Sequence, residues 1–328
     1  MDQPVSEVTY RDALREAMVE AMRADPSIVL LGEEVGAYGG AYAVSKGMLA
    51  EFGPARVIDT PISEAGFVGM AVGAAMTGLR PIAELMYVDF LGVAMDQIAN
   101  QAAKIRYMFG GQAGVPMVLR AQGGTGRSAG AQHSQSLEAW VMHIPGLRVA
   151  APGTVTDAYL LLRHALTLPD PVVFIEHKSL YARSGPLDRT APPAWGKAAV
   201  RRTGADLTIV SYSRMIHFCL EAAAKLADEG IDAEVIDLRT LNPLDRDTVV
   251  ASVRKTGRSL IVSEAHLTAG VAAELSAVIT EGAFSALEEP PIRLAAEDVP
   301  VPVSPALEAA SIPSVERIVA TARKIMRR

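Results

Sequence analysis

The segment Asp59–Gly66 contains a carboxylate that could act as a general acid or base. It reads Asp-Thr-Pro-Ile-Ser-Glu-Ala-Gly, and its Ser63 is a suitable N-cap for the helix that follows. Glu64 then lies in the first helical turn, where the helix dipole favours a negative charge. A simple capping acid would produce the same pattern. Because the rest of this helix is rich in glycine and alanine, we expect a closely packed interface, where a desolvated carboxylate is a candidate acid or base.

A second candidate region is the glycine-rich loop Gly123–Gly130. Within it, Gly124–Ala129 fits a loose dinucleotide-binding pattern, and Gly126–Gly130 fits the hydrolase pattern G-x-S-x-G around Ser128. Both matches are weak, because no acidic residue stands where a ribose would need one and Ser128 lies well beyond the predicted strand. A loop so rich in glycine still predicts that the backbone approaches a ligand closely.

Four further residues are candidates because of where they stand. His133 follows the glycine-rich loop among small polar residues, which suits a solvated proton carrier, although a histidine before a helix is often structural. Glu33 follows a predicted strand, at the strand end where α/β proteins form sites, although adjacent acids in a loop are usually just solvated. Met86 and Phe90 flank Asp89 near the end of another predicted strand, where aromatic and methionine residues are more often part of the core.

The composition excludes several classes of protein. Half of the 328 residues are hydrophobic and 21% are charged, which excludes intrinsic disorder. The longest uncharged stretch, residues 65–79, is too short to span a bilayer, and a net charge of −6 without a basic run argues against nucleic acid as a partner. The sequence has no P-loop, no His-Glu-x-x-His helix and no cysteine pair for zinc. A single cysteine, Cys219, and an N-terminus without a signal-peptide pattern predict a cytoplasmic protein.

The elements that must position these residues alternate between strands and helices. Apolar strands are predicted at 28–31, 81–86, 115–121, 147–150 and 172–176, and again at 207–212, 233–238, 259–262 and 292–295. Strands rich in Val, Ile and Leu, each followed by a helix, predict parallel or mostly parallel sheets covered on both faces. Proline and glycine interrupt the pattern, so we predict two α/β domains at 1–180 and 199–328, joined by a linker at 181–198.

Eight motifs occur in an order that resembles one enzyme family. They are Gly32–Glu34, Asp59–Glu64, Gly78–Pro81, Asp96–Gln97, Arg106–Gly111, Ala131–Gln135, Pro145–Leu147 and Val235–Arg239. Together they resemble the beta subunits of the decarboxylating component of 2-oxo acid dehydrogenase complexes, which act on pyruvate, branched-chain 2-oxo acids or acetoin. The resemblance runs from about Val8 to the last predicted helix. It implies a thiamine-diphosphate pyrimidine-binding domain followed by a transketolase C-terminal domain.

The resemblance also implies roles for the candidate residues. Glu64 would hydrogen-bond the aminopyrimidine ring of thiamine diphosphate and promote the imino tautomer, which takes a proton from the thiazolium carbon. Phe90 would stack on the pyrimidine, and Met86 would line the same pocket. His133 would orient the substrate and pass protons to the lipoyl group. Glu33 would belong to an acidic proton path between paired active sites.

One motif of thiamine enzymes is absent from the sequence. Many of them hold the diphosphate through a metal bound at Gly-Asp-Gly and a later Asn, and this chain contains no Gly-Asp-Gly. The resemblance therefore implies that an alpha subunit supplies magnesium and the diphosphate site, in an α2β2 heterotetramer with active sites at subunit interfaces. It further implies that the second domain docks on a dihydrolipoyl acyltransferase core. Some members bind potassium through backbone carbonyls, and the aligned positions are Met117, Ala165, Leu166, Leu168 and Asp170.

The motifs leave the substrate open. Residues 84–92, 106–111 and 213–215 resemble acetoin dehydrogenases, whereas Ala131–Gln135 is also similar to pyruvate dehydrogenases. The glycine-rich loop departs from the acetoin pattern, and branched-chain members often differ before the histidine. We predict an oxidoreductase of the pyruvate dehydrogenase (acetyl-transferring) type with a lipoyl acceptor, and acetoin cleavage is the first alternative. A split transketolase half and a non-catalytic scaffold are further alternatives, against which the matches at Glu64 and His133 argue.

Overall fold

The computed structural model describes residues 5–327 and divides into two compact units. The first comprises the residues up to Gly123 together with Trp140–Trp195, and the second comprises Gly124–Ala139 together with the residues from Gly196 onward. The sequence predicts one boundary, at 181–198. The structure shows a second crossing between the units. The short stretch Gly124–Ala139 lies within the sequence of the first unit but packs with the second unit. No local pattern reveals which unit such a stretch joins.

The first unit alternates strands and helices up to its last strand. Its strands are β1 (Ser6–Thr9), β2 (Ile28–Gly32), β3 (Val57–Asp59), β4 (Arg80–Leu85), β5 (Val118–Gly123), β6 (Arg148–Ala150), β7 (Val172–His177) and β8 (Ser184–Leu187). Its helices are α1 (Tyr10–Ala24), α2 (Met48–Phe52), α3 (Glu64–Met76), α4 (Leu91–Asp96), α5 (Ile105–Met108), α6 (Glu138–Met142) and α7 (Val155–Ala165), of which α6 begins in the second unit.

The sheet of the first unit brings the ends of neighbouring strands to one edge. Its strands lie in the order β6-β7-β5-β4-β2-β3 and all run parallel. In register, Gly32 pairs with Asp59 of β3 on one side and with Glu84 of β4 on the other. The segments that follow β2, β3 and β4 therefore start side by side, where parallel sheets form ligand sites.

One local expectation differs from the structure. Ser63 occupies the N-cap position of α3, but its side chain makes no capping hydrogen bond in the described chain. Its hydroxyl lies against Gly66 instead, where a Cβ would come within 2.7 Å of it. Within the predicted linker, β8 pairs antiparallel with β1 of the first unit.

The second unit is a smaller α/β sheet. It contains β9 (Ala199–Arg202), β10 (Leu207–Ser211), β11 (Ala233–Asp237), β12 (Thr240–Asn242), β13 (Ser259–His266), β14 (Ile292–Ala296), α8 (Met215–Ala227), α9 (Arg246–Thr256), α10 (Val271–Ala283), α11 (Pro305–Ser311) and α12 (Val315–Met326). The order is β14-β13-β10-β11-β9, in which only β9 runs antiparallel to its neighbour. Helices α8 and α12 bury apolar side chains against this sheet. The predicted fold class, two mostly parallel α/β domains, is confirmed.

Candidate active site

Two buried carboxylates lie together at the carboxyl edge of the first sheet. Glu33 directly follows β2, and Glu64 begins the helix that follows the neighbouring strand β3. Only 6% of Glu33 and 9% of Glu64 is exposed. Burial raises the pKa of Glu33 above its ordinary value of 4.5, and the negative charge of Glu64 raises it further. The two carboxyl groups therefore interact electrostatically, and this interaction disfavours the ionised form of Glu33.

One oxygen of this pair lacks a partner. The Oε1 atom of Glu33 is buried and has no hydrogen-bond partner among the described residues. Buried polar atoms in native proteins are nearly always hydrogen-bonded, so an orphaned one indicates a site built for a group that the chain itself does not supply. Two carboxyl groups at one place suit a polar ligand that can hydrogen-bond to them, such as an aminopyrimidine ring.

Asp59 holds the segment that carries Glu33. Its two carboxylate oxygens accept the N–H of Gly36 at 2.6 Å and the N–H of Ala37 at 3.0 Å. A Cβ at Gly36 would meet the same carboxylate at 3.0 Å, so a larger residue there would press on Asp59. Asp59 was not predicted as a site residue, and its place at the start of the Asp59–Glu64 motif was the available signal.

Met86 and Phe90 follow β4, next to the end of β2. Both side chains are half-buried, and Phe90 belongs to a single 3₁₀ turn, Val88–Phe90. The structure thus brings Glu33, Glu64, Met86 and Phe90 to one edge of one sheet. A half-buried apolar wall beside two coupled carboxyl groups can hold a flat aromatic ring and exchange protons with it.

Lys178 is a further candidate site residue, which the sequence patterns did not reveal. It follows β7 and is almost completely buried, with its Nζ 4.5 Å from the centre of the Tyr87 ring and 4.0 Å from Oδ2 of Asp89. A buried cation that faces an aromatic ring and a carboxylate is held firmly in place. The available signal was a lysine at the end of a buried strand.

A fully buried charge network joins the strands beneath this edge. Nη1 of Arg120, in β5, donates to the carboxylate of Glu84, in β4, at 2.6 Å. Nε and Nη2 of the same arginine donate to the carboxylate of Glu176, in β7, at 2.6 and 2.8 Å. Gln122 donates to Glu84, and the hydroxyl of Tyr181 donates to Glu176. Burial raises the pKa of Glu84, although Arg120 opposes this shift. The network fixes the positions of β4, which precedes Met86 and Phe90, and of β7, which precedes Lys178.

His133 and the glycine-rich loop belong to the second unit. The N–H groups of Gly126 and Ser128 donate to the carboxylate of Glu308, and the N–H of Thr125 donates to Glu264. Since these donors are occupied, the loop does not offer them to a diphosphate. Strand β5 ends at Gly123, so Ser128 does not stand on the sharp strand-to-helix turn of a hydrolase elbow. His133 is half-buried, and its backbone N–H donates to the carbonyl of Gly130 at 3.3 Å.

A buried acid lies five residues beyond His133 in the same unit. Glu138 is 5% exposed, and its Oε2 has no hydrogen-bond partner in the described part of the chain. Burial raises its pKa to about 7, with a further contribution from the charge of Glu264. Glu138 therefore changes its charge near neutral pH.

The predicted potassium ligands lie at the opposite edge of the first sheet. Met117 precedes β5, and the other four positions lie between the end of α7 and the start of β7. Arg80, the first residue of β4, donates Nε to the carbonyl of Leu166 at 2.9 Å and Nη2 to the carbonyl of Leu168 at 2.7 Å. An ion there would share these two oxygens with a guanidinium group, using their second lone pairs. The structure does not bring these positions to the edge that carries Glu64.

Residues 5–327 contain no group of three or more His, Cys, Asp or Glu side chains arranged to hold a metal ion. None of their helices is both long enough and apolar enough to cross a membrane.

Two family models match the chain. One describes the transketolase pyrimidine-binding domain and matches residues 6–184, and the other describes the transketolase C-terminal domain and matches residues 196–318. Among solved structures, a chain described as "Split gene transketolase, inactive beta4 tetramer" has a TM-score of 0.82 and 24% identity, over 98% of this chain and 99% of that one. A transketolase from Leishmania mexicana has a TM-score of 0.71 and 16% identity, over 98% of this chain and 46% of that one. At these identities the structures show the fold alone.

Curated relatives are similar over nearly the full length. Pyruvate dehydrogenase E1 component subunit beta-1, mitochondrial, from Arabidopsis thaliana is 49% identical, over 97% of this chain and 89% of the relative. Acetoin:2,6-dichlorophenolindophenol oxidoreductase subunit beta from Cupriavidus necator is 48% identical, over 96% of each chain. Pyruvate dehydrogenase E1 component subunit beta from Rickettsia felis is 44% identical, over 97% of this chain and 98% of the relative.

Proposed function

Because this chain belongs to the transketolase-like beta subunits of 2-oxo acid dehydrogenases, we propose that it catalyses decarboxylation of pyruvate and acylation of a lipoyl group together with an alpha subunit. The observation that carries the proposal is the coupled pair Glu33–Glu64, with its orphaned oxygen, beside Met86 and Phe90. These residues fit the pyrimidine half of thiamine diphosphate. The domain family and the named relatives support the same assignment.

In this proposal each residue of the first unit has a distinct task. Glu64 would hydrogen-bond a ring nitrogen of the aminopyrimidine and hold a proton there, while Phe90 and Met86 would pack against the ring and exclude water. Glu33, whose pKa burial raises, belongs to an acidic proton path between paired active sites. When bound, thiamine diphosphate supplies the electron sink that makes the loss of carbon dioxide from a 2-oxo acid feasible. His133, in the second unit, orients the substrate and passes protons to the lipoyl group.

The surface of α3 supports a partner subunit. A Cβ added at Gly73 would meet nothing in the described chain within 4 Å, so the small size of this residue does not serve the chain's own packing. Ile62, Met70 and Met76 on and beside the same helix are exposed. Exposed apolar side chains around an open glycine are typical of a helix that packs closely against another chain. The relatives are named beta subunits, which fits an alpha subunit as the occupant.

The remaining assignments follow from this partnership. The alpha subunit supplies magnesium and the diphosphate site in an α2β2 heterotetramer, because this sequence has no Gly-Asp-Gly motif. The second unit docks on a dihydrolipoyl acyltransferase core. Potassium binding at the carbonyls of Met117, Ala165, Leu166, Leu168 and Asp170 stays a prediction. A cytoplasmic location does too, and the Arabidopsis relative is named as mitochondrial.

Calorimetry tests the shared site. Thiamine diphosphate with magnesium is titrated into the chain alone and into the chain co-purified with its alpha subunit. We expect binding only to the assembly, because this chain provides only the pyrimidine half of the site. Tight binding by the chain alone would contradict the shared site. No binding in either sample would favour a scaffold function.

Acetoin cleavage is the second candidate function. The acetoin relative is 48% identical, and the pyruvate relative from Arabidopsis thaliana is 49% identical, so overall identity does not separate the two substrates. The assembled enzyme should therefore be assayed with pyruvate, acetoin and branched-chain 2-oxo acids, with 2,6-dichlorophenolindophenol as the electron acceptor. The highest kcat/KM identifies the substrate.

Replacing Gly73 by leucine should prevent assembly while leaving the chain folded. A leucine side chain has open space in the chain itself but would intrude between α3 and the partner. We expect the Gly73→Leu chain to keep the wild-type circular dichroism spectrum and to elute from size-exclusion chromatography apart from the alpha subunit. Ala224→Leu, at an exposed position of α8, is the matched control and should assemble normally. Normal assembly of Gly73→Leu would remove α3 from the interface.

A further inference from the structure

We propose that Glu308 is a positioning residue for His133, because its carboxylate holds the glycine-rich loop that leads to this histidine. The inference rests on the proposed function, in which His133 serves acyl transfer to the lipoyl group. All the contacts that carry it lie within the second unit. Neither the motifs nor the family resemblance assigned Glu308 a role.

The loop backbone is shaped to bind one anion. The N–H of Gly126 donates to Oε1 of Glu308 at 2.9 Å, and the N–H of Ser128 donates to Oε2 at 3.2 Å. Gly124, Gly126, Ser128 and Gly130 all have positive φ, and Ser128 adopts this conformation without being a glycine. Alternation of this kind turns successive N–H groups toward a common centre, which is how backbone nests bind anions. Here the anion is a side chain of the same unit.

Glu308 is itself fixed. It is 4% exposed and lies on α11, where its N–H donates to the carbonyl of Ser304 and its carbonyl accepts the hydroxyl of Ser311 at 2.8 Å. A buried carboxylate that accepts two N–H groups forms charge-assisted bonds, which are stronger than neutral ones. The loop is therefore tied to a rigid helix and not to a mobile surface side chain.

Further hydrogen bonds fix the rest of the glycine-rich loop. Oε1 of Glu264 accepts both the N–H and the hydroxyl of Thr125, at 2.6 and 2.7 Å. The N–H of Gly124 donates to the carbonyl of Gln135 at 2.9 Å, and the N–H of His133 donates to the carbonyl of Gly130. These hydrogen bonds close the loop 124–135, and Glu264 and Glu308 hold its first residues. Loss of the bonds from Glu308 to Gly126 and Ser128 should therefore displace His133, which lies further along the same loop.

The test compares two reactions of the enzyme assembled with its alpha subunit. In Glu308→Ala, transfer of the acyl group to a lipoyl domain should fall about 10- to 100-fold, because a displacement of about 1 Å in a catalytic group can cost that much. Dye-coupled decarboxylation, which does not use the lipoyl group, should fall by a smaller factor, because it depends on His133 only for orienting the substrate. Glu281→Ala removes an exposed acid from the same unit and should affect neither rate.

A double-mutant cycle separates positioning from a general structural role. If Glu308 acts through His133, then His133→Ala/Glu308→Ala should transfer acyl groups no more slowly than His133→Ala alone. The proposal would be overturned if the losses of acyl transfer in the two single variants multiplied in the double variant. It would also be overturned if Glu308→Ala left the ratio of acyl transfer to dye-coupled decarboxylation unchanged.

Amide hydrogen exchange tests whether Glu308 holds the loop independently of whether the proposed function is correct. Glu308→Ala should lose amide protection at residues 124–136, whereas Glu281→Ala should not; unchanged protection in Glu308→Ala would also overturn the proposal. If the wild-type assembly acted on no substrate at all, the proposed function would fail instead. The exchange result would still decide whether Glu308 holds the loop.

Discussion

Glu64→Gln should reduce release of carbon dioxide by the assembled enzyme about 100- to 10,000-fold, the range typical of a lost general acid or base. Glutamine keeps the shape of the side chain but can neither take nor give the proton at this site. Glu64 lies at the start of α3, and its charge acts on the buried Glu33, the neighbouring carboxyl group of the site. The measurement is the rate of carbon dioxide release at saturating thiamine diphosphate.

The matched control is Glu34→Gln, which removes an exposed charge next to the site and should leave the rate nearly unchanged. Assembly with the alpha subunit should be normal in both variants. Because the charge of Glu64 contributes to the raised pKa of Glu33, Glu64→Gln should also lower that pKa. Wild-type activity in Glu64→Gln would disprove the assigned role, whereas loss of assembly would indicate a structural defect.

Arg120→Met should destabilise the chain by about 3–5 kcal/mol, the usual cost of breaking a buried ion pair from one side. Arg120 is fully buried and is the guanidinium that both Glu84 and Glu176 contact. Without it, two carboxylates remain in the sheet, to which Gln122 and Tyr181 still donate hydrogen bonds. Urea-induced unfolding, followed by circular dichroism, measures the change in the free energy of unfolding.

The deficit should grow as the pH rises. Burial raises the pKa of Glu84 above 4.5, and removal of Arg120 raises it further, so the folded state binds protons more tightly than the unfolded state. Such a group favours the folded state at pH values below 4.5 and loses this contribution as the pH rises through the folded pKa. Arg120→Met should therefore approach the wild type at low pH.

Two further variants make this prediction decisive. Arg23→Met removes an exposed partner of Glu51 and should change stability little. If Arg120→Met does not accumulate as a folded protein, Arg120→Met/Glu176→Gln should restore part of the loss, because it removes one of the stranded charges. A deficit in Arg120→Met no larger than that of Arg23→Met would show that the network contributes little.

Several features of the molecule follow from local sequence patterns. The alternation of apolar strands with helices predicts two mostly parallel α/β domains, and the structure confirms that fold class. The motif that ends in Glu64 places this residue at the first turn of α3, as observed. Both signals are local, because periodicity and turn residues act over a few neighbouring positions. Even so, local chemistry was not sufficient at Ser63, whose hydroxyl lies against Gly66 and does not cap the helix.

The sequence by itself determined the fold class, the position of Glu64 and the family, because these are carried by residues close together in the chain. Only the tertiary structure decided that Glu33 is desolvated beside Glu64, that Arg120 joins Glu84 and Glu176, and that the glycine-rich loop is held by Glu308. Gly126 and Glu308 are 182 residues apart. A single hydrogen bond over such a separation produces no periodic pattern, and it forms only when packing of the whole unit brings donor and acceptor together.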